Sequence, residues 1–159
     1  MKTLSKFAAV ILAAVTVLSL VTACGSSSAG SEVDVSALAD ELNNDTVTTD
    51  TLTETGSDML ASIYFFKDGQ VVSSKAYMSS GATADEICVV ECNSASDASE
   101  AEKLFQTRAD SQEKLYETYN AAESDKLKNA LIKSSGKYAV FVVCDDYSKA
   151  GDILKKYGF

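Results

Sequence analysis

Two apolar stretches, each divided by a Ser-Ser-Gly turn, constrain the fold of this chain more than any other feature of its sequence. Apolar runs of this length indicate strands, and a short polar turn that contains glycine typically joins two strands antiparallel. The four predicted strands are Val71–Met78, Asp85–Cys92, Leu127–Lys133 and Tyr138–Cys144. The sequence therefore predicts two β-hairpins.

A helical pattern follows each hairpin. After the first hairpin, apolar residues recur every three or four positions from Ser96 onwards, which predicts a long helix. After the second hairpin, Asp145 or Asp146 is the expected N-cap of a last helix, and Gly158 is the expected stop. The order strand, strand, helix thus occurs twice.

The segment before the hairpins is less regular. Asp34 is suited to cap a short helix. Residues 43–55 show little periodicity and are expected to form a connection. Met59–Tyr64 has helical spacing, but Ile63–Phe66 is equally compatible with a strand, so the sequence leaves both interpretations open.

These elements predict an α+β fold. We expect an antiparallel sheet of about four strands with helices packed on one face, preceded by N-terminal helices. The order is consistent with an internal ββα-ββα repeat. Ile87–Val90 and Val140–Val143 are apolar on both faces of their strands. The second face therefore needs a cover, either the N-terminal helices or a partner.

The composition excludes several classes of function. The chain contains no His, which rules out histidine-based catalytic triads and histidine metal sites. Its net charge of −9 argues against nucleic acid, whose phosphates require clustered Lys and Arg. No catalytic residue, metal site or cofactor motif is predicted. With 159 residues, the chain suits a single modest domain.

The first 24 residues have the organisation of an export signal. Lys2 and Lys6 precede an uncharged stretch, residues 7–21, that is rich in Ala, Val and Leu. The following Val21–Gly25 resembles the lipobox of bacterial lipoproteins. The resemblance implies that Cys24 receives a diacylglycerol and becomes the new N-terminus, although an uncleaved anchor and a non-lipid signal remain alternatives.

These observations predict three parts of the chain: a signal peptide at 1–23, a lipidated Cys and flexible tether at 24–33, and one α+β domain at 34–159. Removing residues 1–23 takes away two of the 14 basic residues and none of the 23 acidic ones, so the remaining charge is −11. Such a surface is repelled by anionic headgroups. We therefore expect the two acyl chains to hold the protein at the extracytoplasmic face of the cell membrane.

Several short blocks of the domain resemble a known family. They are Tyr77–Ile87, Arg108 with Gln112 and Tyr119, and Leu127–Ala130 leading to Gly136–Tyr138. Blocks of this kind, in this order, are similar to small lipoproteins of Gram-positive anaerobes, in the domain-of-unknown-function family 4358. The resemblance covers about Val35 to the C-terminus. It implies an exported lipoprotein with an α+β domain, and it implies no activity, ligand or catalytic residue.

Arg108 and Gln112 are unusual because both fall along the apolar stripe of the long helix. A half-buried Arg requires an acid or several carbonyl groups as partners. One interpretation is a structural ion pair with Glu86 or Glu91. The other is a binding site in which Arg108 and Gln112 hold a carboxylate or a phosphate.

Three cysteines remain in the domain: Cys88, Cys92 and Cys144. Cys88 and Cys92 are four residues apart on one strand, about 13 Å, which is too far for a disulfide. We expect buried free thiols. A disulfide from Cys144 to either of the others, and a three-cysteine metal site, are the alternatives.

The sequence thus favours a membrane-anchored, non-enzymatic binding or scaffolding domain outside the cell, with an envelope protein as the possible partner. Two other classes of function are alternatives. One is a small envelope hydrolase that uses carboxylates, and the other is a small-ligand sensor that acts through Arg108.

Overall fold

The computed structural model describes residues 32–159, which form one antiparallel five-stranded sheet with five helices. The strands are β1 (Thr53–Thr55), β2 (Val71–Met78), β3 (Glu86–Cys92), β4 (Leu131–Ser135) and β5 (Tyr138–Val143). The helices are α1 (Val35–Asp45), α2 (Ser57–Tyr64), α3 (Ala95–Tyr116), α4 (Ala121–Lys128) and α5 (Tyr147–Lys156). The predicted signal peptide, Cys24 and nearly all of the tether lie outside the described residues.

The sheet has the strand order β1-β2-β3-β5-β4, with every neighbouring pair antiparallel. Cys88 of β3 is opposite Ala76 of β2 on one side and opposite Phe141 of β5 on the other. Both predicted hairpins, β2–β3 and β4–β5, are confirmed. The central strands β3 and β5 are the most apolar, because both faces of the sheet are buried at these strands.

The core consists of two apolar layers, one on each face of the sheet. Side chains alternate along a strand, so Cys88 and Val90 of β3 face one layer while Ile87 and Val89 face the other. The first layer is covered by α2, α3 and α4, and the second layer is covered by α1 and α5. The expected cover of the second face by an N-terminal helix is therefore present.

The α+β class and the antiparallel sheet are confirmed, but the expectation that the helices after the two hairpins share one face of the sheet was wrong. α3 and α5, which follow the two hairpins, pack on opposite faces. This also removes the internal repeat. In an internal repeat, a two-fold axis perpendicular to the sheet would relate the antiparallel neighbours β3 and β5. Such an axis would keep both helices on the same face of the sheet.

The boundary of the fourth strand differs most from the prediction. Leu127–Lys133 was expected as a strand, whereas Leu127 belongs to α4 and β4 begins at Leu131. A short helix and a short strand joined within a few residues leave no clear period in the sequence. The ambiguous Met59–Tyr64 stretch is helical, and β1 forms inside the segment that was expected to be a connection.

Three helices begin after a residue whose side chain caps the first turn, and the sequence predicted two of these caps, in α1 and α5. The side chains of Asp34, Ser94 and Asp146 each accept a hydrogen bond from a backbone N–H in the first turn of α1, α3 and α5. Asp146, not Asp145, is therefore the cap of the last helix. Within residues 32–159, no helix is long and apolar enough to cross a membrane.

Candidate functional site

Arg108 of α3 forms a two-point ion pair with Glu86 of β3. Its Nε lies 3.3 Å from Oε1 of Glu86, and its Nη2 lies 2.8 Å from Oε2. The Glu86 side chain is 7% exposed and that of Arg108 is 25% exposed. Burial lowers the pKa of Arg108, but the hydrogen bonds and charge of Glu86 outweigh burial and leave that pKa raised. Of the two acids expected as partners, Glu86 is confirmed, while Glu91 pairs with Lys137.

Tyr64 of α2 completes this arrangement from the other side. Its hydroxyl donates a hydrogen bond to Oε1 of Glu86 at 2.6 Å. Burial first, and then the neighbouring Cys88 and Glu86, raise the pKa of Tyr64 well above its usual value, so the phenol stays protonated. The Tyr64 ring packs against Phe105 with a centroid distance of 5.0 Å. Glu86 therefore joins α2, α3 and the centre of the sheet.

A small cavity of about 90 Å³ lies between α2 and α3, next to Arg108. It is lined by Ile63, Tyr64, Phe65, Leu104, Thr107, Arg108 and Ser111. Small-molecule sites usually have volumes of about 300–1,000 Å³, so this cavity is too small to enclose a metabolite. Gln112 is half-buried further along α3 and does not line the cavity. This cavity therefore does not bring Arg108 and Gln112 together.

Phe65, at the mouth of this cavity, has an unusual backbone and an unusual environment. It follows α2 with φ 63° and ψ 35°, and it is the one non-glycine residue between 32 and 159 with a positive φ. Left-handed backbone costs a residue with a Cβ roughly 1–2 kcal/mol, and glycine normally occupies this position after a helix. The Phe65 residue is nevertheless 76% exposed to water.

A second group of charges, which we call the Lys126 cluster, surrounds a lysine of α4. Nζ of Lys126 lies 2.8 Å from Asp85, 2.8 Å from Asp145 and 3.4 Å from Glu123. The Lys126 side chain is 9% exposed, and Asp85 is fully buried. Burial lowers the pKa of Lys126, but hydrogen bonds to Asp145 and Asp85 outweigh burial and raise it. The lysine therefore remains charged.

The carboxylates of the Lys126 cluster also bind backbone groups of distant segments. Asp85 accepts hydrogen bonds from the backbone N–H of Thr49 at 2.9 Å and of Asp50 at 3.2 Å. Glu123 accepts one from the N–H of Ala84 at 2.7 Å. The cluster thus connects the segment before β1, the turn before β3, α4 and the end of β5. Such a set of satisfied contacts favours a structural role.

Sequence reasoning did not find the Lys126 cluster. Its members are separated by up to 60 residues and share no motif. The one local signal is Glu123 and Lys126, three residues apart, which is the spacing of an ion pair on a helix. That spacing does not point to Asp85 or Asp145.

The three domain cysteines are free and buried. Cys88 and Cys92 face the layer under α3, whereas Cys144 faces the layer under α1 and α5, so a disulfide across the sheet cannot form. Burial raises the pKa of Cys92 and of Cys144 to about 11, which disfavours thiolate chemistry. Among residues 32–159, no group of His, Cys, Asp or Glu has a geometry that could hold a metal ion.

The family described as Domain of unknown function (DUF4358) matches residues 45–144 of the chain. The matched span runs from the end of α1 past the end of β5. It contains all five strands, the Arg108–Glu86 pair, Phe65 and three of the four members of the Lys126 cluster. No curated protein and no solved structure matches the chain.

Proposed function

Because the chain belongs to the family described as Domain of unknown function (DUF4358), whose description gives no activity, we propose a function from its own residues. In this proposal the protein is a lipoprotein anchored at the extracytoplasmic face of the cell membrane. Its folded domain is non-enzymatic and binds a protein partner of the cell envelope. The observation that carries the binding role is Phe65.

The anchoring part of the proposal rests on sequence. Two lysines, an apolar stretch and the lipobox-like Val21–Gly25 support cleavage before Cys24 and lipidation of its thiol. In the host cell, the wild-type chain should partition with membranes and incorporate labelled palmitate, whereas Cys24→Ala should do neither. Equal labelling of the variant and the wild type would contradict the assignment.

The binding part of the proposal rests on the strained, exposed position of Phe65. A left-handed backbone at a residue with a large side chain destabilises the folded state, and backbone outliers of this kind concentrate at functional sites. Exposed aromatic residues at the edge of a small apolar cavity are also typical anchors of protein interfaces. An apolar side chain of a partner that covered Phe65 would remove it from water and fill the neighbouring cavity.

The hydrolase alternative receives less support from the geometry. The carboxylates that converge, those of Asp85, Glu123 and Asp145, all contact the ammonium group of Lys126. These contacts occupy the carboxylates, whereas a general acid or base must reach the substrate proton that it transfers. The sensor alternative through Arg108 is weakened in the same way, because Glu86 already pairs with the guanidinium.

A site-specific crosslinking experiment tests the binding role. A photoreactive phenylalanine analogue replaces Phe65 in the full chain, and the cells are irradiated before their membranes are extracted. We expect one or a few discrete crosslinked protein products. The matched control places the same analogue at Lys155, an exposed position of α5 on the opposite side of the sheet, and should give none of these products.

A competition variant makes the result specific. Phe65→Gly, in a chain that carries the photoreactive group at Ser111 beside the same cavity, should abolish the products seen with Phe65 present. The proposal is wrong if position 65 gives no crosslink or if position 155 gives the same products. It is also wrong if crosslinking from position 111 does not depend on Phe65.

A further inference from the structure

The edge of the sheet next to α2 is only partly covered. β2 has eight residues, but the edge strand β1 has three and pairs only with Ala76–Met78 of β2. The chain leaves the sheet at Gly56 and continues as α2. The first half of β2, Val71–Lys75, therefore has no neighbouring strand on its outer side among the described residues.

The hydrogen-bond pattern of the sheet shows which backbone groups face this open edge. The N–H of Ser79 bonds to the carbonyl of Asp85, so the odd-numbered residues of this part of β2 bond towards β3. Ala76 and Met78 face the other way, towards β1. By the same alternation, the N–H and C=O of Ser74 point outwards at the open edge.

A groove of about 530 Å³, which we call the β2 groove, runs along this edge between α2 and Val71–Ser74. The half-buried Phe66 supplies apolar surface to its lining. Its volume is within the range of about 300–1,000 Å³ that is typical of binding sites. A β-bulge lies between Val71 and Ser73, and Val72 is 63% exposed.

We propose that an extended segment of a partner protein binds in the β2 groove as an additional strand, hydrogen-bonded to Ser74. This inference deepens the proposed function and rests on it. An exposed sheet edge beside a helix recognises extended peptides through main-chain hydrogen bonds, while pockets beside the edge select the side chains. The added strand continues the line of β1, which already pairs with the second half of β2.

The charged residues around the β2 groove indicate which kind of partner peptide it favours. Asp58 and Asp68 line the β2 groove, and neither carboxylate forms an ion pair with another described residue. Lys67, which also lines it, has Glu100 at 3.9 Å. The rim is therefore negative, so it favours a peptide with a basic residue beside an apolar one.

Peptide selection tests the inference. The full chain, purified from membranes in detergent, is immobilised and panned against a phage-displayed library of random heptapeptides. Affinities of the enriched peptides are then measured by fluorescence polarisation. We expect enrichment of β-prone sequences with Lys or Arg. Ser74→Pro should weaken their binding about tenfold, because it removes the outward N–H while sparing the bonds to β3.

The opposite edge of the sheet offers a matched control. The N–H of Cys92 bonds to the carbonyl of Lys137, so even-numbered residues of β5 bond to β4 and Ser134 of β4 faces outwards. Ser134→Pro should leave peptide affinity unchanged. If Ser74→Pro does not fold, Asp68→Lys at the exposed rim takes its place and should weaken basic peptides about threefold or more.

Two results would overturn the inference: the absence of enriched peptides, or binding that neither Ser74→Pro nor Asp68→Lys weakens. The test is separate from that of the proposed function. Peptide binding at Ser74 without crosslinks from position 65 would count against the Phe65 role alone. Phe65-dependent crosslinks without peptide enrichment would count against the β2 groove alone.

Discussion

Lys126 and Phe65 lie at the ends of two short helices, α4 and α2, and each occupies the environment that usually suits the other. The lysine side chain is 9% exposed, and the phenylalanine is 76% exposed. Three carboxylates of the same chain compensate the buried charge, whereas residues 32–159 leave most of the phenylalanine exposed to water. The comparison separates a side chain that serves the fold from one whose placement the fold does not explain.

The largest expected effect is the loss of the lysine. Lys126→Met leaves the buried carboxylates of Asp85 and Glu123 without their cation, which costs about 3–5 kcal/mol of unfolding free energy. Urea melts measure this loss against a total of roughly 5–15 kcal/mol. Lys128→Met on the same helix is the control, because water screens its exposed pair with Asp125 and the pair should contribute little to stability. Equal melts for both variants would contradict a structural cluster.

Arg108 extends the comparison to a charge of intermediate exposure. Arg108→Met leaves the buried Glu86 with only the Tyr64 hydroxyl, so we expect a loss of about 2–3 kcal/mol, below the range for fully buried pairs. Arg108→Lys keeps the charge without the two-point geometry and should lose less. If Arg108→Met melts like the wild type, the pair is not structural, and the cavity beside Arg108 becomes the first place to search for a ligand.

The sequence was most informative where the spacing of apolar residues stayed regular over a whole strand or helix. The alternation and apolar runs of β2, β3 and β5 predicted both hairpins, and β2 has the predicted bounds. Arg108 was identified because a charge interrupts an apolar stripe, and its partner Glu86 was one of two acids named. These features depend on neighbours along the chain, which a sequence displays directly.

Features that depend on contacts across the fold could not be predicted. The face on which α5 packs depends on how the chain crosses the sheet after β5, and its own amphipathic pattern is the same on either face. The Lys126 cluster unites four segments, and no local pattern distinguishes Asp85 or Asp145 from the other acids of an acidic chain. Nor does the sequence indicate that Phe65 adopts a left-handed backbone, since glycine is the residue expected there.

Phe65→Gly has a smaller expected effect, with the opposite sign to that of Lys126→Met. Glycine adopts φ 63° without strain, so the variant should be more stable by about 0.5–1 kcal/mol. Phe66→Gly is the control, because Phe66 packs on Tyr64 and Phe105 and its loss should destabilise the domain. A loss of stability in Phe65→Gly would show that the ring serves the fold after all.

The cysteines extend the comparison to the reactivity of buried side chains. In a chain that carries Cys24→Ala, denatured and not reduced, thiol titration should count three reactive groups, Cys88, Cys92 and Cys144. In the folded protein, burial raises the pKa of Cys92 and of Cys144 to about 11.

At pH 8, about one thiol in a thousand at Cys92 or Cys144 is then ionised, and alkylation should be correspondingly slow. The rate should rise about tenfold for each pH unit between 8 and 10, because the thiolate fraction rises by that factor below the pKa. A count of one in the denatured chain would establish a disulfide. Fast labelling of the folded chain that levels off near pH 9 would show that the core opens to the reagent, because an accessible thiol has a pKa of about 8.5.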